Sequence, residues 1–220
     1  MQKILIATGN PHKIEEIQAI CISEGVPFSL IGLGDISGGR EIPEPHEGEP
    51  TFEGNARLKA RYYAQKTGMP VFADDSGLEV DALGGAPGVL SARYSGLSGP
   101  RSVVDPANNK KLMAALRGVS KERRGARFVC ALAFYRPERE GHAAVEAVVR
   151  GEFPGRILLD EECADPACPE KGRGENGFGY DPLLWLEDAK CTSAQLASDA
   201  KNARSHRGAA VRLMLKKLMK

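Results

Sequence analysis

The sequence predicts an α/β protein built on a long mixed sheet with helices on its faces, and three observations carry that expectation. Residues 3 to 7, Lys-Ile-Leu-Ile-Ala, form a short continuous apolar run of the kind found in buried parallel strands, and Ile14, Ile17 and Cys21 follow it at helical spacing. A second buried run, Val71-Phe72-Ala73, comes after a further helical pattern. Arg127 to Tyr135 and His142 to Phe153 are joined by Arg136-Pro-Glu-Arg-Glu-Gly141 and read as a hairpin, which adds antiparallel character.

At 220 residues the chain suits one domain, 1–220, or two closely joined lobes around a core of ordinary size. Hydrophobic content of 42%, charged content of 27% and a net charge of +1 are those of a soluble globular protein, with no polyelectrolyte signature for nucleic acid or a membrane surface. Any anion site is therefore local. The N-terminus enters a strand rather than a signal peptide, and no apolar run reaches the roughly 18 residues of a membrane span, so a cytoplasmic protein is expected. Cys21, Cys130, Cys163, Cys168 and Cys191 have no regular spacing. Cys163 and Cys168 lack the second pair a structural zinc site needs, so free thiols are expected.

In chain order, Thr8, Gly9 and Asn10 fall between the first strand and its helix, where backbone amides and the helix dipole favour an anion, and Lys13 adds a full charge. Thr and Asn are also good capping residues, so an ordinary capped turn explains the same sequence. After a strand near Pro27 to Leu33, the loop from Gly34 to Pro50 carries Glu41, Glu44, Glu47 and Glu49. One or two such acids suffice for Mg²⁺ when a substrate phosphate completes its coordination. Thr51 caps a helix running to about Thr67 and closed by Gly68, on which Asn55 and Lys59 are four apart and share a face.

The run Val71-Phe72-Ala73 then delivers Asp74 and Asp75 into a glycine-rich turn; if the strand continues, alternation sends the two carboxylates to opposite faces. One acid is then chemical and the other positional. Asp105-Pro106 is expected to start a helix that reaches Gly118. Residues 154 to 176 read as an irregular loop, and the turn Phe178-Gly-Tyr-Asp-Pro182 places an aromatic between two glycines, where a flat base could stack; a core Phe beside a turn explains it equally well. A helix near Ser193 to Arg204 carries Lys201. Ser205 caps the last helix, with His206 and Arg207 in its first turn, where two basic groups oppose the dipole and call for a nearby anion or base edge.

No G-x-x-x-x-G-K-[ST] and no strand-linked G-x-G-x-x-G is present, which disfavours P-loop and dinucleotide folds. Instead Thr8-Gly-Asn-Pro-His-Lys13, Asp74-Asp-Ser-Gly-Leu78, Gly177-Phe-Gly-Tyr-Asp-Pro182 and Ser205-His-Arg-Gly208 occur in one order along the whole chain. Together they resemble the inosine triphosphate pyrophosphatase family. The resemblance implies two lobes with an active-site cleft between them, a homodimer, a purine nucleoside triphosphate substrate and Mg²⁺. Within it, Asp75 is the metal-associated general base, with Ser76 beside it. Glu47 matches the second acidic ligand, with Glu49 a close rival. Thr8 to Lys13 bind the nucleotide, Lys59 and Lys201 contact the triphosphate, and Phe178, Gly179, Tyr180 and Asp181 with His206 and Arg207 recognise the base. The implied reaction cuts ITP, dITP or XTP between the α and β phosphates. A 6-oxo purine offers acceptors at O6 and N7, whereas adenine puts an amino donor at position 6. The segment from about Leu159 to Gly174 looks longer than in that family, which bears on the base pocket. A catalytically silent nucleotide-binding module on the same fold is the alternative.

Overall fold

In a computed structural model of the chain, residues 2–8, 10–26, 28–139 and 141–219 are described. The elements follow in the order β1 (Gln2–Ile6), α1 (Pro11–Ser23), β2 (Phe28–Gly32), α2 (Phe52–Thr67), β3 (Val71–Val80), α3 (Arg101–Ala115), β4 (Gly125–Arg136), β5 (Val145–Ile157), β6 (Leu184–Leu186), β7 (Cys191–Thr192), α4 (Ser198–Arg204) and α5 (His206–Leu218), with short 3₁₀ turns between them. The strands form a seven-stranded sheet ordered β2-β1-β3-β4-β5-β6-β7. β1 pairs in parallel with β2 and β3, whereas β6 pairs antiparallel with β5 and β7. The sheet is therefore mixed, as expected.

The chain divides into two compact units, with boundaries inside β3, β4 and β5 and between α4 and α5. In the first unit (1–75, 130–152, 205–220) the buried β1 residues Ile4 and Ile6 join Phe72, Leu132 and the α5 stripe Val211, Met214 and Leu215 in one apolar core, with α1 packed on α5. The Phe72 ring meets Phe134 at 5.3 Å and Phe28 at 5.9 Å between centroids. In the second unit (76–129, 153–204) Leu78 and Val80 pack with Leu112 of α3, its C-cap Leu116, Phe153 and Leu184. The buried Arg124 guanidinium donates to the carbonyls of Leu116 (2.8 Å), Val119 (3.0 Å) and Leu158 (2.5 Å), so the carbonyl that caps α3 has a partner and the chain beyond it is tied to the end of β5.

Helix caps fall where residue type predicts. The Thr51 hydroxyl accepts from Gly54 N at 3.1 Å, Gly68 ends α2 in the left-handed region at φ 64°, and the Ser205 hydroxyl accepts from Gly208 N at 3.0 Å. Three expectations are corrected. α3 starts at Arg101, one turn before Asp105, and holds Pro106 in its interior, because the Asp105 carboxylate is engaged by Gly179 N at 3.0 Å and does not cap the helix. β3 does not end at Ala73: its ten residues run through Asp74, Asp75, Ser76 and Gly77. Gly77 is needed there because a Cβ would collide with the Ser91 hydroxyl. The helix expected from Ser193 to Arg204 is a 3₁₀ turn, Ser193–Gln195, followed by the seven-residue α4.

Candidate active site

Because β3 continues, Asp74 and Asp75 leave the strand on opposite sides, and each meets different partners. The Asp74 side chain is fully buried, with one oxygen 2.9 Å from Lys13 Nζ and 3.6 Å from an Arg207 amino group. Arg207, itself buried, is also paired with Glu16 from α1. Burial alone would raise the Asp74 carboxyl, but the charges of Lys13, Arg207 and Lys59 outweigh it and hold that carboxyl far below the usual range. The same carboxylates keep Arg207 protonated against its burial.

Asp75 accepts from Asn55 Nδ2 at 3.1 Å and lies 3.5 Å from Lys59 Nζ. Asn55 and Lys59 thus act as the polar pair that their spacing on α2 predicts. Lys59 also lies 2.9 Å from Glu47 Oε1. Burial pushes the Asp75 carboxyl up, and Glu47 adds to the rise against the lowering charges of Lys59 and Lys13. For Lys59, burial favours the neutral amine, but Asp75, Asp74 and Glu47 overcome it and raise its pKa. One acid is thereby locked as an anion while its neighbour has a raised proton affinity, the property a general base needs.

Glu47 and Asp75 share one lysine partner, so two hard oxygen donors address a common charge. That donor set fits a divalent cation that takes its remaining ligands from phosphate and water. Among the described residues no group of three or more His, Cys, Asp or Glu side chains that could hold a metal ion is present. Of the two rival glutamates, Glu47 is the half-buried one on Lys59; Glu49 is exposed, with its side chain against Gly54 and its backbone amide on Asn55 Oδ1 at 3.1 Å.

Thr8 and Asn10 build a capped turn: the Thr8 hydroxyl accepts from Asn10 N at 3.2 Å, and the Asn10 carbonyl accepts from the amides of Lys13 (3.2 Å) and Ile14 (3.3 Å). Gly9 lies outside the described residues. The anion expected beside His206 and Arg207 is, for Arg207, internal to the protein, namely Glu16 and Asp74. His206 is 7% exposed at the start of α5.

The second unit holds the turn 177–182 as a separate polar assembly. Asp181 Oδ2 accepts from Phe178 N at 2.8 Å and from Lys201 Nζ at 2.7 Å, and Asp181 Oδ1 accepts from Ser193 Oγ at 2.6 Å. A Cβ on Gly177 would strike this Asp181 carboxylate, which accounts for the glycine. Lys201 is no free surface cation; it is buried and sits 5.6 Å from the Phe178 ring centroid, while the Arg101 guanidinium lies 4.8 Å from that centroid. Phe178 is half-buried, Gly179 likewise, and Ser76 is half-buried within β3. Tyr180 is buried, its hydroxyl donates to Ser91 O at 2.8 Å, and burial pushes its phenol well above the usual range.

Several residues of these assemblies were not singled out by sequence reasoning. Glu16 sits three residues after Lys13 on α1, a spacing that shares a face. Asn109, whose Nδ2 donates to Gly179 O at 3.1 Å, and Asn108, which accepts from Ser95 N at 2.7 Å, are adjacent poor helix formers inside α3, which is itself a sign of side-chain work.

The fold and the carboxylate–lysine cluster define an α/β protein whose first unit is suited to a polyphosphate accompanied by a hard cation. The chain belongs to the Ham1 family, whose model matches residues 4–217. It is 47% identical over 216 residues to a dITP/XTP pyrophosphatase of Nocardia farcinica, covering 98% of this chain and 94% of that protein. Among solved structures it is similar to a HAM1 protein from Coxiella burnetii, with a TM-score of 0.80 and 32% identity over 100% of this chain and 99% of the other. It is also similar to a nucleoside-triphosphatase, dITP/XTP pyrophosphatase, from Mycobacterium abscessus, with a TM-score of 0.71 and 41% identity over 99% and 100% of the two chains. No helix among the described residues is long and apolar enough to cross a membrane.

Proposed function

We propose that this protein is a nucleoside triphosphate pyrophosphatase that hydrolyses ITP, dITP and XTP to the nucleoside monophosphate and pyrophosphate, clearing non-standard purines from the nucleotide pool. The observation that carries the reading is the asymmetry of Asp74 and Asp75 within a cluster of lysines. In the proposed step Asp75 takes a proton from water, the water oxygen forms the new bond to phosphorus, and the P–O bond between the α and β phosphates breaks with its electron pair leaving on pyrophosphate. Lys59 and Lys13 stabilise the negative charge that develops, and Lys201 contacts the triphosphate, with the Thr8 to Lys13 turn and Ser76 beside it. Glu47 and Asp75 would hold Mg²⁺, which when bound supplies charge neutralisation at the phosphates.

Base recognition is assigned to the turn Phe178 to Asp181 and to His206 and Arg207. Phe178 offers a ring for stacking, and the buried Tyr180 and Asp181 hold its turn through bonds to Ser91 O and Phe178 N. The whole of 1–220 acts as one catalytic domain, a homodimer in the cytoplasm.

The test is pyrophosphate release from ITP, dITP, XTP, GTP and ATP with Mg²⁺ at mildly alkaline pH, with products separated. Monophosphate and pyrophosphate from ITP, dITP and XTP in strong preference to ATP are expected. Diphosphate and phosphate as products would refute the cleavage site, and no turnover with retained binding would leave a silent nucleotide-binding module.

A further inference from the structure

Gly179 lies in the turn assigned above to the base, and its peptide groups are held on both sides by α3. Its N–H donates to Asp105 Oδ2 at 3.0 Å and its carbonyl accepts from Asn109 Nδ2 at 3.1 Å. Asp105 and Asn109 are four residues apart on one helix, so they present their polar ends on one face. Gly179 has φ 62°, a conformation that side-chain-bearing residues rarely adopt, so the turn is set by backbone conformation and by these two side chains together.

Asn109 does a second task with the same amide. Its Nδ2 also donates to Glu170 O at 3.3 Å, so one buried side chain joins the base turn to the 159–174 segment. Both partners are carbonyls, which fixes the amide with its nitrogen toward them. The segment is tied to the same turn again by the bond from Arg173 N to Pro182 O at 2.9 Å. It packs so closely at Gly172 that a Cβ there would collide with the Pro182 carbonyl. Its other end is pinned by Glu162, which accepts from Arg156 at 2.6 and 2.8 Å.

We infer that Asp105 and Asn109 are positioning residues for base recognition: they clamp Gly179 from α3 and so orient the Phe178 ring, with the 159–174 segment serving as a fixed backing for the turn. The inference rests on the reading of Phe178 as the base-stacking residue. A buried amide that donates to two carbonyls cannot be removed without leaving both unpaired, and the turn that carries Phe178 then loses its reference to the helix. The effect falls on nucleotide binding and selectivity and spares the chemical step at Asp75.

The test compares wild type with Asn109→Leu, Asp105→Leu and Asp105→Asn in steady-state kinetics with dITP, XTP and GTP, and in amide hydrogen exchange. Both leucine variants are expected to raise KM for dITP about tenfold, the equivalent of one lost buried hydrogen bond, with kcat within about twofold and discrimination against GTP weakened. Asp105→Asn keeps an acceptor for Gly179 N and is expected to behave as wild type. Exchange should quicken in peptides covering 176–182 and stay unchanged in β4. A fall in kcat at constant KM, unchanged kinetics in both leucine variants, or faster exchange throughout the second unit would overturn the inference. Should Asn109→Leu fail to fold, the Asp105 pair decides. Should wild type itself turn over no nucleotide, the function reading falls, while the exchange comparison still tests the clamp.

Discussion

Asp74 and Asp75 are consecutive in β3 yet answer to different cations: Asp74 lies 2.9 Å from Lys13 Nζ, and Asp75 lies 3.5 Å from Lys59 Nζ. The first carboxylate is fully buried and over-compensated by positive charge; the second keeps an edge in solvent and a raised pKa. Substitutions with nearly the same shape should therefore have opposite consequences.

Asp75→Asn is expected to lower kcat by about 10²- to 10⁴-fold, the range for loss of a general base, with nucleotide binding retained. Its stability in a urea titration should stay within about 1 kcal/mol of wild type, because this carboxyl gains no net benefit from ionising when folded. Equal turnover in this variant would remove Asp75 from its role.

Asp74→Asn should instead destabilise by about 3–5 kcal/mol, since the buried Arg207 and the half-buried Lys13 would face a neutral amide. A carboxyl with a depressed folded pKa contributes stability above its unfolded pKa and loses it as pH falls toward the folded value. The wild-type protein should accordingly lose stability below about pH 4, the unfolded carboxyl value, and Asp74→Asn should show a shallower acid limb in thermal unfolding measured against pH.

Lys59→Met removes a charge that lowers the Asp75 carboxyl, so the raised pKa should rise further. The base works only when deprotonated, and the acid limb of the kcat/KM profile should therefore move to higher pH. An unmoved acid limb would show that Asp75 does not govern it.

Glu47→Gln should increase the Mg²⁺ concentration needed for half-maximal rate by about tenfold or more, as for loss of one charge-assisted contact, whereas Glu49→Gln should not. Removal of the metal with a chelator should abolish turnover without shifting the unfolding temperature, because the carboxylates already have Lys59 as a partner.

Phe178→Ala should raise KM for every substrate by roughly 10- to 100-fold, the worth of one base–aromatic stack, with little change in kcat. A selective loss of kcat would move Phe178 from binding to chemistry.

Much of this arrangement was legible along the chain where neighbours in sequence decide it. Thr51 and Ser205 cap their helices, Gly68 closes α2, and Asn55 and Lys59 reach Asp75 from one helical face, all because local spacing dictates them. Asp105-Pro106 misled because a cap and a first-turn proline look the same as an engaged acid and a proline tolerated within a helix. Arg207 shows the limit of local spacing: its anions are Glu16 and Asp74, which no spacing near residue 207 announces.

The α/β class, the caps, the order of the four motifs and hence the family follow from residue type and short-range periodicity. Which of two adjacent acids has a raised proton affinity and which is held as an anion comes from the three-dimensional arrangement. Alternation along a strand says that Asp74 and Asp75 differ but not how. That follows from burial and from charges brought by α1, α2 and α5, and charge interactions strong enough to move a proton act between groups close in space, whatever their separation along the chain.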